Sequence, residues 1–120
     1  MKKILIAEDD QFLSKILATK IAKEGYEVAV AMDGEEALEK IKSESPDAMF
    51  LDLIMPKKTG FEVLEQMKQD DLVDKIPVIV LSNLGQTDDV QRTLSLGAKD
   101  FIIKADTPID EIVSKIEKYL

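Results

Sequence analysis

The chain has 120 residues, a length that suits one domain and leaves no room for a second. Hydrophobic residues make up 45% and glycine and proline are sparse, so a packed core is expected rather than disorder. There is no cysteine and no histidine, which excludes disulfides, thiolate metal sites and a phosphohistidine on this chain, while a net charge of −8 disfavours nucleic acid as a direct partner. The lack of thiols suits a reducing compartment, and no apolar run approaches a membrane span, so the expected location is cytoplasmic. The first residues start like a signal peptide, but Glu8-Asp9-Asp10 ends the apolar run too early for one.

The first apolar run, Ile4-Leu5-Ile6-Ala7, reads as a strand and leads into Glu8 and Asp9. A helix follows, with Leu13, Ile16, Leu17 and Ile21 on one face and Gly25 to close it. Val28-Ala29-Val30-Ala31 is the second strand. Asp33 and Glu36 then make a capping-box-like start ahead of Ala37, Leu38 and Ile41, and Pro46 marks the exit. Ala48-Met49-Phe50-Leu51 is the third strand and ends at Asp52. Thr59 and Glu62 repeat the start signal before Phe61, Leu64 and Met67. Val78-Ile79-Val80-Leu81, the fourth strand, ends at Ser82. In the next helix Thr87 is the expected cap, Asp88 and Asp89 occupy the positive first turn, and Gly97 closes it. Phe101-Ile102-Ile103 is the fifth strand and ends at Lys104. The last helix is expected to be capped by Thr107, with Pro108 first, and Ile109, Ile112, Val113, Ile116 and Leu120 as its stripe.

Four of the runs lack period-two alternation, as strands buried on both faces should. Five β-α units in a row imply an α/β domain, a parallel sheet with helices on both faces. Right-handed crossovers leave few topologies. A common one is the flavodoxin-like strand order 2-1-3-4-5, whose ligand crevice lies at the carboxyl ends of strands 1 and 3. A parallel sheet delivers every strand end to one edge. Glu8, Asp9, Asp52, Ser82 and Lys104 therefore converge on one crevice.

Taken singly, Glu8 or Asp9 is as ordinary as a helix cap, Ser82 as a turn residue and Lys104 as a surface charge. Asp52 is less ordinary, because its neighbours run Met49-Phe50-Leu51-Asp52-Leu53-Ile54-Met55 and an isolated buried carboxylate is costly. The conjunction of three carboxylates, a hydroxyl and an ammonium suits a cation and a phosphoryl group. Hard oxygen ligands suit Mg2+. Glu8, Asp9, one oxygen of Asp52 and the backbone carbonyl of Ile54 are the candidate ligands. The other Asp52 oxygen is free to attack phosphorus and form an acyl phosphate. Phosphoryl transfer depends on in-line positioning and charge neutralisation, which Mg2+ and Lys104 would supply while Ser82 donates to a phosphoryl oxygen.

From Lys3 to about Tyr119, the chain resembles the receiver domain of two-component response regulators, of the single-domain chemotaxis type. The motifs carrying the likeness are the acidic pair Glu8-Asp9, Asp52-Leu53-Ile54-Met55-Pro56, Gly60, Ser82 and Lys104. The resemblance implies Mg2+ on Glu8 and Asp9, phosphorylation of Asp52, and phosphoryl contacts from Ser82 and Lys104. It also implies a switch in which Ser82 moves inward and Phe101 follows, reshaping the surface of helix 4, strand 5 and helix 5. The implied donor is a separate histidine kinase or phosphotransfer protein, docking near helix 1 and the strand 5–helix 5 loop. The implied protein is a monomer, with phosphorylation-linked dimerisation left open, that assists its own phosphorylation and dephosphorylation rather than acting as an enzyme.

The family usually has proline after the lysine, often with a cis bond, whereas Lys104 is followed by Ala105. A cis non-proline bond costs roughly 2.5–4 kcal/mol, so a trans bond is expected. In the family, fast-hydrolysing members carry polar side chains at one or both of the positions held here by Ile54 and Leu84, two residues beyond Asp52 and Ser82; neither of these can orient water, so the resemblance implies slow dephosphorylation. Crowded carboxylates predict stabilisation by Mg2+. The alternative is a receiver-like interaction module that takes no phosphate. A haloacid dehalogenase type phosphatase would need a second Asp where Ile54 stands, and a flavin carrier would need a phosphate loop where the acids stand. The cognate kinase, the downstream target, and whether the domain stands alone or belongs to a longer regulator are not legible.

Overall fold

The computed structural model describes residues 1–83 and 86–120. Five parallel strands, β1 (Lys3–Ala7), β2 (Glu27–Ala31), β3 (Ala48–Leu51), β4 (Val78–Ser82) and β5 (Asp100–Ile103), form one sheet in the order β2-β1-β3-β4-β5. They alternate with α1 (Gln11–Lys23), α2 (Gly34–Glu44), α3 (Gly60–Gln69), α4 (Thr87–Ser95) and α5 (Ile109–Glu117). A one-turn 3-10 helix, Lys104–Asp106, separates β5 from α5.

The period of two along the strands sorts side chains to the two faces. Leu5, Ala7, Met49, Leu51, Val78 and Val80 point to one side, where Ala37 and Ile41 of α2 and Val63, Leu64 and Met67 of α3 cover them. Ile4, Ile6, Ala48, Phe50, Ile79 and Leu81 point to the other, against Leu17 and Ile21 of α1 and Ile112, Val113 and Ile116 of α5. The inner strands β1, β3 and β4 are buried almost throughout, as their apolar runs predict. The outer strands β2 and β5 are only partly covered, because a sheet edge has one neighbour instead of two.

Most helix boundaries follow their sequence signals. Asp10 caps α1 through its carboxylate, which accepts from the N–H groups of Phe12 and Leu13. Thr59 and Glu62 form a reciprocal capping box on α3. Asp33 accepts from Glu36 N–H as expected, but the Glu36 carboxylate reaches one residue further back, to Met32 N–H. Gly25 and Gly97 follow α1 and α4 with positive φ. Two starts differ from expectation. Thr87 lies inside α4, whose cap position is Gln86 and has no side-chain cap bond. Pro108, not Thr107, caps α5 with an extended ψ of 152°, so α5 begins at Ile109. Thr107 is extended and closes the 3-10 turn Lys104–Asp106, leaving proline as the last extended residue before α5.

Helix α4 is the least embedded of the five α-helices. Its buried residue is Thr93. It is tied to α3 across the surface by Arg92, whose guanidinium sits 4.2 Å above the Phe61 ring and 3.0 Å from Glu65. Lys68 also donates to the Ser95 carbonyl.

Candidate functional site

Main-chain bonds carry the ladder one step past the strands. Glu8 N–H donates to the Ala31 carbonyl and Asp52 N–H to the Ala7 carbonyl, so both acids stand at the carboxyl edge of the central strands. Both are almost wholly buried, at 1% and 5% exposure. Asp9 is exposed beside them. Glu8, Asp9 and Asp52 each bring one carboxylate oxygen within 4.8 Å of the others.

Lys104 reaches this edge from the end of β5. Its Nζ lies 2.5 Å from Glu8 Oε1 and 3.1 Å from Asp52 Oδ2. The other oxygens are held by main chain. Glu8 Oε2 accepts from Asp10 N–H at 3.1 Å, and Asp52 Oδ1 from Leu53 N–H at 2.8 Å. Burial pushes the Glu8 carboxyl up to about 7, against the opposing pull of Lys104. Burial also pulls on Lys104, but Glu8 and Asp52 outweigh it and hold the ammonium above the usual lysine range. One ammonium thus faces three carboxylates, two of them buried, and the site is short of positive charge.

The donor set suits Mg2+. Ligand distances of about 2.1 Å imply oxygens roughly 3–4 Å apart around an octahedral ion, and three hard carboxylates within 4.8 Å come near that. Small adjustments of an exposed Asp9 would close the remaining gap. Asp10, the third acid of the run, is committed to capping α1.

The loop after Asp52 is held by the main chain. Gly60 N–H donates to the Leu53 carbonyl. A Cβ on Gly60 would lie 2.2 Å from the Asp52 carbonyl oxygen, so only glycine lets α3 start against this backbone. Ile54 is 59% exposed at the mouth of the site, and its N–H points to Asp52 Oδ1 at 3.5 Å. Ser82 is buried at the end of β4, in register with Ile103. Phe101 pairs with Val80 and packs, partly buried, on the α2–α3 side of the sheet. All the expected site residues therefore gather at one edge, apart from Phe101, which sits further back along β5. No described peptide bond is cis, so Lys104-Ala105 is trans as expected. Leu84, the other residue tied to slow dephosphorylation, lies outside the described residues. Asn83 was not singled out from sequence, yet its Oδ1 accepts the Ala105 N–H at 2.9 Å. Its position next to Ser82 was the one signal available.

Residues 4–117 match the family profile of the response regulator receiver domain. The chain belongs to that family. The receiver is 38% identical over 119 residues to a probable transcriptional regulator, ycf27, of Guillardia theta, covering 99% of this chain and 45% of the relative. It thus spans less than half the length of that relative. Among solved structures it resembles the receiver domain of the Francisella response regulator 1452, with a TM-score of 0.91, 30% identity and coverage of 99% and 96% of the two chains. It is also similar to the Vibrio cholerae chemotaxis protein CheY4, with a TM-score of 0.90, 25% identity and coverage of 100% and 99%. Among the described residues, no helix of the receiver is long and apolar enough to cross a membrane.

Proposed function

We propose that this receiver accepts a phosphoryl group on Asp52 from a phosphohistidine donor, with Mg2+ held by Glu8, Asp9, Asp52 and the Ile54 carbonyl. The observation that carries the reading is a buried Asp52 carboxylate flanked by two more carboxylates and contacted by Lys104. These 120 residues hold no histidine, so the phosphohistidine comes from outside this domain, from a histidine kinase or phosphotransfer protein.

Bound Mg2+ would supply charge neutralisation on the phosphoryl oxygens. The chain's own residues do the rest. An Asp52 oxygen bonds to phosphorus as the bond to the donor's imidazole nitrogen breaks, and the released imidazole takes up a proton. Leu53 N–H holds Oδ1 and so fixes the carboxylate plane. The Lys104 ammonium sits within reach of the charge that develops on the phosphoryl oxygens. Ser82 donates its hydroxyl to one of those oxygens. Its inward movement vacates space at the end of β4, and Phe101 rotates toward it. The α4-β5-α5 surface changes as a result, and a protein partner reads the change. The domain assists its own phosphorylation and dephosphorylation without turning over a separate substrate.

Intact-mass analysis after incubation with acetyl phosphate and Mg2+ tests this. The expected result is one added phosphoryl group, absent in Asp52→Asn and in the presence of a chelator. A folded wild-type protein that takes no phosphoryl group from acetyl phosphate or from a phosphohistidine donor would instead identify an interaction module.

A further inference from the structure

Asn83 follows Ser82 and Ala105 follows Lys104, so each stands one residue beyond a side chain of the proposed phosphoryl site. The pairing of β4 with β5 ends at Ser82 and Ile103. The Asn83 carboxamide carries the connection one step further, its Oδ1 accepting the Ala105 N–H at 2.9 Å.

That N–H belongs to the 3-10 turn Lys104–Asp106. The first N–H groups of a helix have no partner inside it and need an acceptor from elsewhere. The cap position here is Ile103, which makes no side-chain cap bond. Asn83 supplies the acceptor from the neighbouring strand's loop. Both residues are exposed, where a neutral hydrogen bond adds little net stability. Its effect falls on position. Lysine is a point charge on a flexible four-carbon stem, so its aim depends on how firmly its backbone is held. On one side of Lys104 the backbone is held by the β5 ladder, and on the other by this bond. Its Nζ then spans Glu8 and Asp52.

We infer that Asn83 is a positioning residue for phosphoryl transfer: it fixes the main chain after Lys104 and ties the aim of that ammonium to the loop following Ser82. The inference rests on the reading of Asp52 as the phosphoryl acceptor. Movement of Ser82 toward a phosphoryl group would pull on the Lys104 turn through the same bond, so the two phosphoryl contacts would tighten together.

The test is the rate of phosphorylation of the full chain across acetyl phosphate concentrations, for wild type, Asn83→Ala and Asn83→Asp. Mg2+ affinity by calorimetry, melting temperature and deuterium exchange at the Ala105 amide accompany it. Asn83→Ala should lower the maximal rate about three- to tenfold, the scale of one hydrogen bond lost from a transition state. It should leave Mg2+ affinity and melting temperature near wild type and expose the Ala105 amide to exchange. Asn83→Asp retains an acceptor and should protect the amide and recover most of the maximal rate. An unchanged maximal rate in Asn83→Ala, or an Asn83→Asp protein as slow as Asn83→Ala, overturns the assignment while leaving the acceptor reading intact. A wild type that is never phosphorylated overturns the acceptor reading and this inference with it.

Discussion

Glu8 carries the clearest electrostatic tension in the molecule. Its carboxyl is pushed up to about 7, chiefly by burial and further by Asp52, although Lys104 and Asp10 N–H pull it down. A folded-state value above the unfolded one means that the native state holds the extra proton. That contribution to stability is fully present below the unfolded value of about 4.5 and is lost as pH rises through about 7. Asp33, Glu44 and Glu62 have the opposite sign, since hydrogen bonds from Glu36 N–H, Lys3 and Thr59 N–H respectively hold them below the carboxylate range. A difference curve cancels those three. We expect the urea midpoint of metal-free wild type, minus that of Glu8→Gln, to fall between pH 4.5 and 7.5. A flat or rising difference would mean that Glu8 is ionised throughout and fully paired by Lys104. Ile54 makes a kinetic prediction of its own. At 59% exposure it covers the mouth of the site with a side chain that cannot orient water. Ile54→Asn should speed loss of the phosphoryl group several-fold, well short of the roughly 10²–10⁴-fold that a positioned proton-transfer group supplies, because an amide orients water without taking its proton. Equal decay rates in the two proteins would mean that Ile54 does not set the rate of hydrolysis.

Elements differ in how legible they are. The inner strands could be read from sequence because burial on both faces demands continuous apolar runs, and Asp52 stood out by interrupting one. The strand ends then placed Glu8, Asp52, Ser82 and Lys104 together, since a parallel sheet offers no other arrangement of its carboxyl edge. The capping box at Thr59–Glu62 was equally plain, because both partners are local. The Lys104–Asp106 turn and the α5 start were not legible, because three residues give no periodicity and Thr107 and Pro108 offer competing starts. The Asn83–Ala105 bond links positions 22 apart in sequence, a separation that no local pattern encodes. Gly60 belongs to both levels, as a motif residue in sequence and a close backbone contact in space. Gly60→Ala should cost roughly 1–3 kcal/mol from the forced backbone shift, seen as a lower urea midpoint, and should weaken Mg2+ binding by moving Asp52. Full retention of both would show that α3 can retreat without disturbing Asp52. Helix α4 should be the quickest to exchange of α1–α4. Thr93 is its buried residue, and surface contacts such as those of Arg92 are worth about 1 kcal/mol or less each. Protection equal to that of α3 would argue against α4 as the mobile part of a switch.

At the scale of the whole molecule, the proposed Mg2+ site would make folding and cation binding one linked equilibrium. The chain carries a net charge of −8, and its densest buried acid lies at the carboxyl edge of the sheet. The Lys104 ammonium bridges Glu8 and Asp52. Mg2+ entering the site must share or displace that ammonium, so its net affinity is the attraction of three carboxylates less the loss of a lysine contact. Whatever binds only the folded state stabilises it, by about 2.7 kcal/mol at a hundred times Kd. For a domain of this size that corresponds to a rise in Tm of roughly 10 °C. Ca2+ should stabilise less, because its longer bonds and higher ligand number suit this compact set poorly. Asp9→Asn removes the exposed member of the cluster and should raise the metal-free Tm while shrinking the gain from Mg2+. Lys104→Met should do the reverse. It strands two buried carboxylates without a cation, lowers the metal-free Tm, and leaves Mg2+ with no competitor, so the gain on adding Mg2+ grows. A thermal melt of the three proteins with Mg2+ and with chelator reads all of these outcomes. A Lys104→Met protein that gains no more from Mg2+ than wild type would mean that lysine and metal occupy separate space, and that the ammonium is held for the phosphoryl group alone.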